Sequence, residues 1–163
     1  MEIDQIKFLK VKEEAENYYK TIGQIHCPYL GGKISFNTKG LEHLKFKNKN
    51  KARIKSDQYI RLKLLKLAPH ILEKSNTLQE FYETRKFEQQ KINSRWEYKM
   101  VEVSYYGFVA IINGARIKII VKEIEGGNKF FWSLIPFWKN NQKNSGNKFN
   151  NKKILHAGNM EDD

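Results

Sequence analysis

Cysteine is nearly absent from the 163 residues: Cys27 stands alone, so no internal disulfide can form and any zinc site would need His and carboxylate ligands. Neither a metal nor a cofactor is suggested by what remains. Long apolar runs are missing as well. The longest aromatic and apolar stretch, Phe130 to Trp138, falls well short of the roughly 20 residues that cross a bilayer. The N-terminus, MEIDQIKFLKVKEEAE, lacks the basic start and apolar stretch of a secretion signal, so a cytoplasmic protein with no membrane partner is expected. Phosphate-binding glycine loops, GxSxG, HExxH and paired cysteine dyads are missing too, which removes the commonest sequence signals for nucleotide, hydrolase and zinc chemistry. Acid is scarce: 18 Asp and Glu face 30 Lys and Arg, a net charge of +12.

Apolar residues make up 40% of the chain and aromatics 13%, enough for one domain with a core of its own. The positive excess calls for an anionic partner: RNA first, then DNA or an acidic protein. Beyond Trp138 the composition turns to KNNQKNSGNKFNNKK, without periodicity. A single domain over 1–138 is therefore expected, followed by a basic Asn/Lys-rich disordered tail over 139–163.

Phe8, Val11, Ala15, Tyr18 and Ile22 fall on one face of a helix over 3–22, which Gly23 stops. Two short extended pieces flank Leu30-Gly31-Gly32, and a short helix is expected over Gly40 to Leu44. Residues 45–55, KFKNKNKARIK, read as an exposed basic loop. Ile60, Leu64, Leu67 and Ile71 mark a helix with Ser56 or Asp57 as its cap, broken near Lys66 by Pro69. Residues 77–91 read as a helical or loose segment. Strands follow as WEYKMVEV, YYGFVAII, ARIKIIVKEI and KFFWSLIPFW, with Asn113-Gly114 and Gly126-Gly127 as hairpin turns.

Two-residue turns would set Phe108 opposite Ile119, Ala110 opposite Ile117 and Val121 opposite Trp132. One face then gathers Phe108, Ala110, Ile112, Ile117, Ile119, Val121, Phe130, Trp132 and Leu134; the other gathers Arg116, Lys118, Lys122 and Ser133 beside Val109, Ile120 and Phe131. The expected fold is α+β, with N-terminal helices packed on one face of a four-stranded antiparallel sheet and the other face open.

Between Lys45 and Lys66 nine cations face only Asp57, a density suited to phosphate contact. Lys45, Lys47, Lys49, Lys51, Arg53 and Lys55, with Arg116 and Lys122 on the sheet, are the candidate nucleic-acid-binding residues. His43 adjoins this segment, where a proton-transfer group would meet a held phosphate; His26 is a candidate partner for it. RNA carries its own 2′-hydroxyl nucleophile, so its cleavage needs only a base, cations at the phosphate and an acid for the leaving oxygen.

Four stretches, IHCPYLGGKISFNTKGLEHLKF, YIRLKLLKLAPHIL, YYGFVAIINGARIKIIVKEIEGG and FFWSLIPFW, resemble the barnase, EndoU, colicin and RelE superfamily of metal-independent ribonucleases, in its phage-associated branch. The resemblance implies a toxin-like endoribonuclease, with an acidic antitoxin or immunity protein as a further partner. It implies His43 as the proton-transfer residue, Arg61 and Lys45 as phosphate clamps, Ser133 as the hydroxyl of the last strand and Lys118 as a transition-state cation. Only one histidine is well placed, so Tyr98 or Tyr106 would take the second role. The competing expectations are a non-catalytic RNA- or DNA-binding module and a basic assembly protein that meets an acidic partner.

Overall fold

The structure, a computed structural model, describes residues 2–137, so the expected tail lies outside the described residues. The chain runs through α1 (Gln5–Ile22), β1 (Gln24–Cys27), β2 (Gly32–Ser35), α2 (Thr38–Lys45), β3 (Phe46–Asn48), β4 (Lys51–Ala52), α3 (Lys55–Leu64) and α4 (Leu67–Glu73). It then builds four long strands: β5 (Glu80–Ile92), β6 (Arg95–Ile112), β7 (Ala115–Ile124) and β8 (Phe130–Phe137). The fold is α+β, but the expected four-stranded antiparallel sheet with an open face is wrong. Six strands form one mixed sheet in the order β1-β2-β8-β7-β6-β5, with β2 and β8 parallel, and β3-β4 make a separate small hairpin.

Two misreadings cancel in strand number, one omitting β5 and one splitting β6, and the two further strands are β1 and β2, which join the sheet through the β2–β8 pair. Residues 77–91 are rich in Glu, Gln and Lys, which favour helix, yet they contain β5, a strand exposed enough on both faces that its side chains carry little apolar signal. WEYKMVEV and YYGFVAII are one continuous strand, β6, because no turn residue interrupts them. Segment 45–55 is likewise not a plain loop, since it folds into β3 and β4 and brings Arg53 inside.

The Asn113-Gly114 turn holds, with both residues at positive φ, and it sets Phe108 opposite Ile119 and Ala110 opposite Ile117. On β8 a bulge intervenes: Ile120 faces Ser133 but Val121 faces Phe131, so Trp132 is the extra residue. Beyond the bulge the faces exchange. Phe131 joins Phe108, Ile117, Ile119, Val121 and Leu134 in the main core, under Tyr19, Leu44, Leu62, Leu65 and Leu72 from the helices. Phe130 and Trp132 go instead to a second cluster with Val101, Val103, Tyr105, Ile120, Ile124 and Ile135.

That second cluster closes the face expected to be open. Lys118 and Ser133 are fully buried there and Lys122 nearly so. Part of the cover is the β5–β6 ribbon itself. Lys122 faces Tyr105, which faces Tyr82, and Glu88 lies six residues further along β5. In a flat ladder that offset would be about 20 Å. Lys122 Nζ nevertheless meets Glu88 Oε1 at 2.9 Å, so the ribbon coils strongly back over β7.

Candidate cationic site at the β8 bulge

The site begins with a close approach. Asn37 caps α2, accepting from the Gly40 N–H at 3.3 Å, and the helix settles on β8 at Gly40. A Cβ there would come 2.7 Å from the Tyr19 hydroxyl, 2.9 Å from Phe131 Cδ1 and closer still to the Phe131 carbonyl oxygen. Glycine is therefore what lets α2 lie so near the strand. One helical turn on, His43 stacks on the indole that the bulge turns toward it, with the His43 and Trp132 rings 4.0 Å apart and 18° from parallel.

The small hairpin returns Arg53 to the end of α2, where its backbone N–H donates to the Lys45 carbonyl at 2.9 Å. Its side chain then holds His43 twice: Nε donates to the His43 carbonyl at 3.0 Å and Nη2 contacts His43 Nε2 at 3.1 Å. A guanidinium can only donate, so Nε2 is the acceptor and the imidazole is neutral with its proton on Nδ1. Arg61, on α3, donates from Nη1 to Ser133 Oγ at 2.9 Å and to the Leu134 carbonyl at 3.1 Å, while its Nε pairs with Asp57 at 2.8 Å. Asp57, expected as a cap, lies in the first turn of α3 and serves these arginines, with Arg53 Nη1 at 3.6 Å.

From the other side Lys122 places Nζ over the Trp132 ring at 4.1 Å and over Tyr105 at 5.6 Å. Lys86 donates to the Tyr105 hydroxyl at 3.0 Å and shares Glu88 with Lys122. The electrostatics follow from four cations and two carboxylates around one imidazole. Burial, reinforced by Arg53, Arg61, Lys122 and Lys86, pushes the His43 pKa down to about 3. Burial and the charge of Lys86 bring Lys122 down to about 8 despite its bond to Glu88. Burial would raise Glu88, but its bond from Lys122 and the nearby Lys86 charge outweigh this and hold it below the usual carboxylate range.

Of the candidate catalytic residues, the fold thus joins His43, Arg61 and Ser133. Lys118 lies on the same sheet face, two positions from Ile120, with Nζ on Glu80 at 2.8 Å. His26 is exposed on β1, opposite Lys33 in the hairpin at the far edge of the sheet. Tyr98 is exposed near the ribbon's tip.

Of the candidate phosphate-binding residues, Arg53 and Lys122 belong to the cluster itself, and Lys47, Lys49 and Lys51 are exposed on the β3–β4 hairpin beside it. Lys45 is tied to Glu16 and Glu42; burial alone would lower its pKa, but the two carboxylates raise it. Lys55 binds the Gln5 side chain and Arg116 is half-buried toward the Asn113 turn. Trp132, Lys86 and Glu88 were not anticipated. The bulge that aims the indole leaves no mark in composition.

Among the described residues no group of three or more His, Cys, Asp or Glu is arranged to hold a metal ion, and no helix is long and apolar enough to cross a membrane. A family model described as large polyvalent protein-associated domain 3 matches residues 7–131. No curated protein and no solved structure matches the chain.

Proposed function

We propose that this chain, which belongs to the large polyvalent protein-associated domain 3 family, binds RNA at the cationic cluster and cleaves it without a metal ion, using His43 for proton transfer. The family description speaks of polyvalent proteins and says nothing of a ribonuclease superfamily, so the reading rests on the site. The observation that carries it is the pairing of Arg53 with His43 Nε2. Arg53 Nη2 cannot give the same N–H to a phosphate and to the imidazole. A phosphate that reaches the buried Arg53 and draws it away leaves the Nε2 lone pair available and offsets the positive charge that adds to burial in depressing His43, and both changes favour proton uptake.

In the proposed reaction the 2′-oxygen bonds to phosphorus as its proton passes to His43. The bond to the 5′-oxygen breaks, leaving a 2′,3′-cyclic phosphate and a 5′-hydroxyl that takes up a proton. In this reading Lys122, whose pKa burial lowers to about 8, supplies that proton, and Arg61 and Arg53 stabilise the charge on phosphorus. The test is incubation with RNA in EDTA. Cyclic-phosphate ends are expected from the wild type and are expected to fall at least a hundredfold in His43→Gln, about the usual contribution of a proton-transfer group. Intact RNA despite salt-sensitive binding by the wild type would sink the catalytic reading and leave a binding module.

A further inference from the structure

We infer that the outer face of the β5–β6 ribbon is a platform on which bases of a single-stranded RNA stack, which rests on the reading of RNA as the ligand and names its strand class. Beyond Val103, where pairing with β7 begins, β6 pairs with β5 alone. On the outer side of this projecting ribbon Phe87 faces Met100, Gln89 faces Tyr98 and Lys91 faces Trp96. Phe87, Trp96 and Tyr98 are about two-thirds exposed, and Met100 nearly half. Large rings held out in water on the face of the ribbon turned away from both cores add nothing to folding and make an edge strand prone to association. Their presence calls for an occupant.

Charge and spacing favour a nucleic acid strand. The six residues of this patch include a cation and an amide and no carboxylate; Glu88 and Glu97 point to the ribbon's other face, and Glu83 and Glu102 share this face only on the rungs nearer β7, beside Arg85. Trp96 and Tyr98 alternate along one strand, so their rings repeat at about 6.7 Å on the same side, with Phe87 diagonal to Tyr98. Rings arrayed in this way on a sheet hold unstacked bases of single strands, and a base-paired helix offers no such faces. The ribbon's inner face supplies Lys86 and Glu88 to the cluster around His43, so a strand leaving that cluster reaches the rings by turning around the ribbon's edge.

The probe is a 2′-O-methyl uridine oligomer, which cannot be cleaved through its 2′-oxygen. Binding is expected to quench indole emission. Trp96→Ala and Tyr98→Ala are each expected to raise Kd on the order of tenfold, as loss of one stacked base does, while Trp96→Phe stays near wild type and melting temperatures are unchanged. Wild-type affinity in the Phe87, Trp96 and Tyr98 triple alanine variant would overturn the inference, as would a ribbon variant that lost self-association or a protein contact while keeping the oligomer. Either failure leaves His43-dependent cleavage standing as a separate measurement. A wild type that bound no oligomer at all would overturn the platform as well, while the cleavage assay in EDTA decides the proposed function by itself.

Discussion

At the scale of single residues, His43 has a measurable signature independent of any substrate. Folded, it takes up a proton only near pH 3, against 6.5 for an unperturbed imidazole. The unfolded chain therefore binds more protons throughout that window, and stability rises with pH across it. The contribution is complete above about pH 6.5 and is lost as pH falls toward about 3. His43→Gln keeps an acceptor for Arg53 and removes the titration. Between pH 7 and pH 5 the wild type should lose on the order of 2 kcal/mol more than this variant in denaturant titrations; equal losses would show that His43 is not held neutral. His43 could be singled out from the sequence because the cation density beside it is a local property, whereas Arg61 and Ser133 were implied only by the family resemblance. Their bonding could not be read. That Arg53 would grip His43 depends on a hairpin folding back within what reads as a solvated basic run, and that Trp132 would face the imidazole depends on one inserted residue.

At the scale of elements, α2 on β8 is the joint that sets the site. Alanine is the better helix former, so Gly40→Ala should stabilise an isolated helix by about 1 kcal/mol. In the protein its Cβ meets the Phe131 carbonyl and the Tyr19 hydroxyl, and overpacking of that kind costs roughly 1–3 kcal/mol. Net destabilisation in urea is expected, with the His43–Trp132 stacking disturbed; a stabilised variant would mean that α2 can lift without loss. An element that buries one face, such as α1, was legible because its apolar residues repeat with the period of the helix. The strand β5 was not, since a ribbon wet on both sides needs no apolar stripe, and its Glu, Gln and Lys suggest helix when read alone. The register of the β6–β7 hairpin followed from two turn residues, and the register past the bulge had no such marker.

At the scale of the whole molecule, the number of cations that meet phosphate sets how the proposed binding responds to salt. Lys47, Lys49 and Lys51 extend the positive surface from Arg53 outward along the β3–β4 hairpin. If all three meet phosphates of a single strand, their joint replacement by Gln should lower the slope of log affinity against log salt by about 2 units. An unchanged slope would place the strand elsewhere. The sheet carries a different kind of consequence. Strands β5 to β8 succeed one another through short turns, while β2 meets β8 in parallel through the single registered pair Ser35 and Phe130, far apart in the chain. Closing so long a loop is slow compared with zipping neighbouring hairpins. The segment that completes this seam also delivers Trp132 and Ser133 to His43 and Arg61. A chain still emerging from the ribosome thus lacks the assembled cluster until its last described strand has been made.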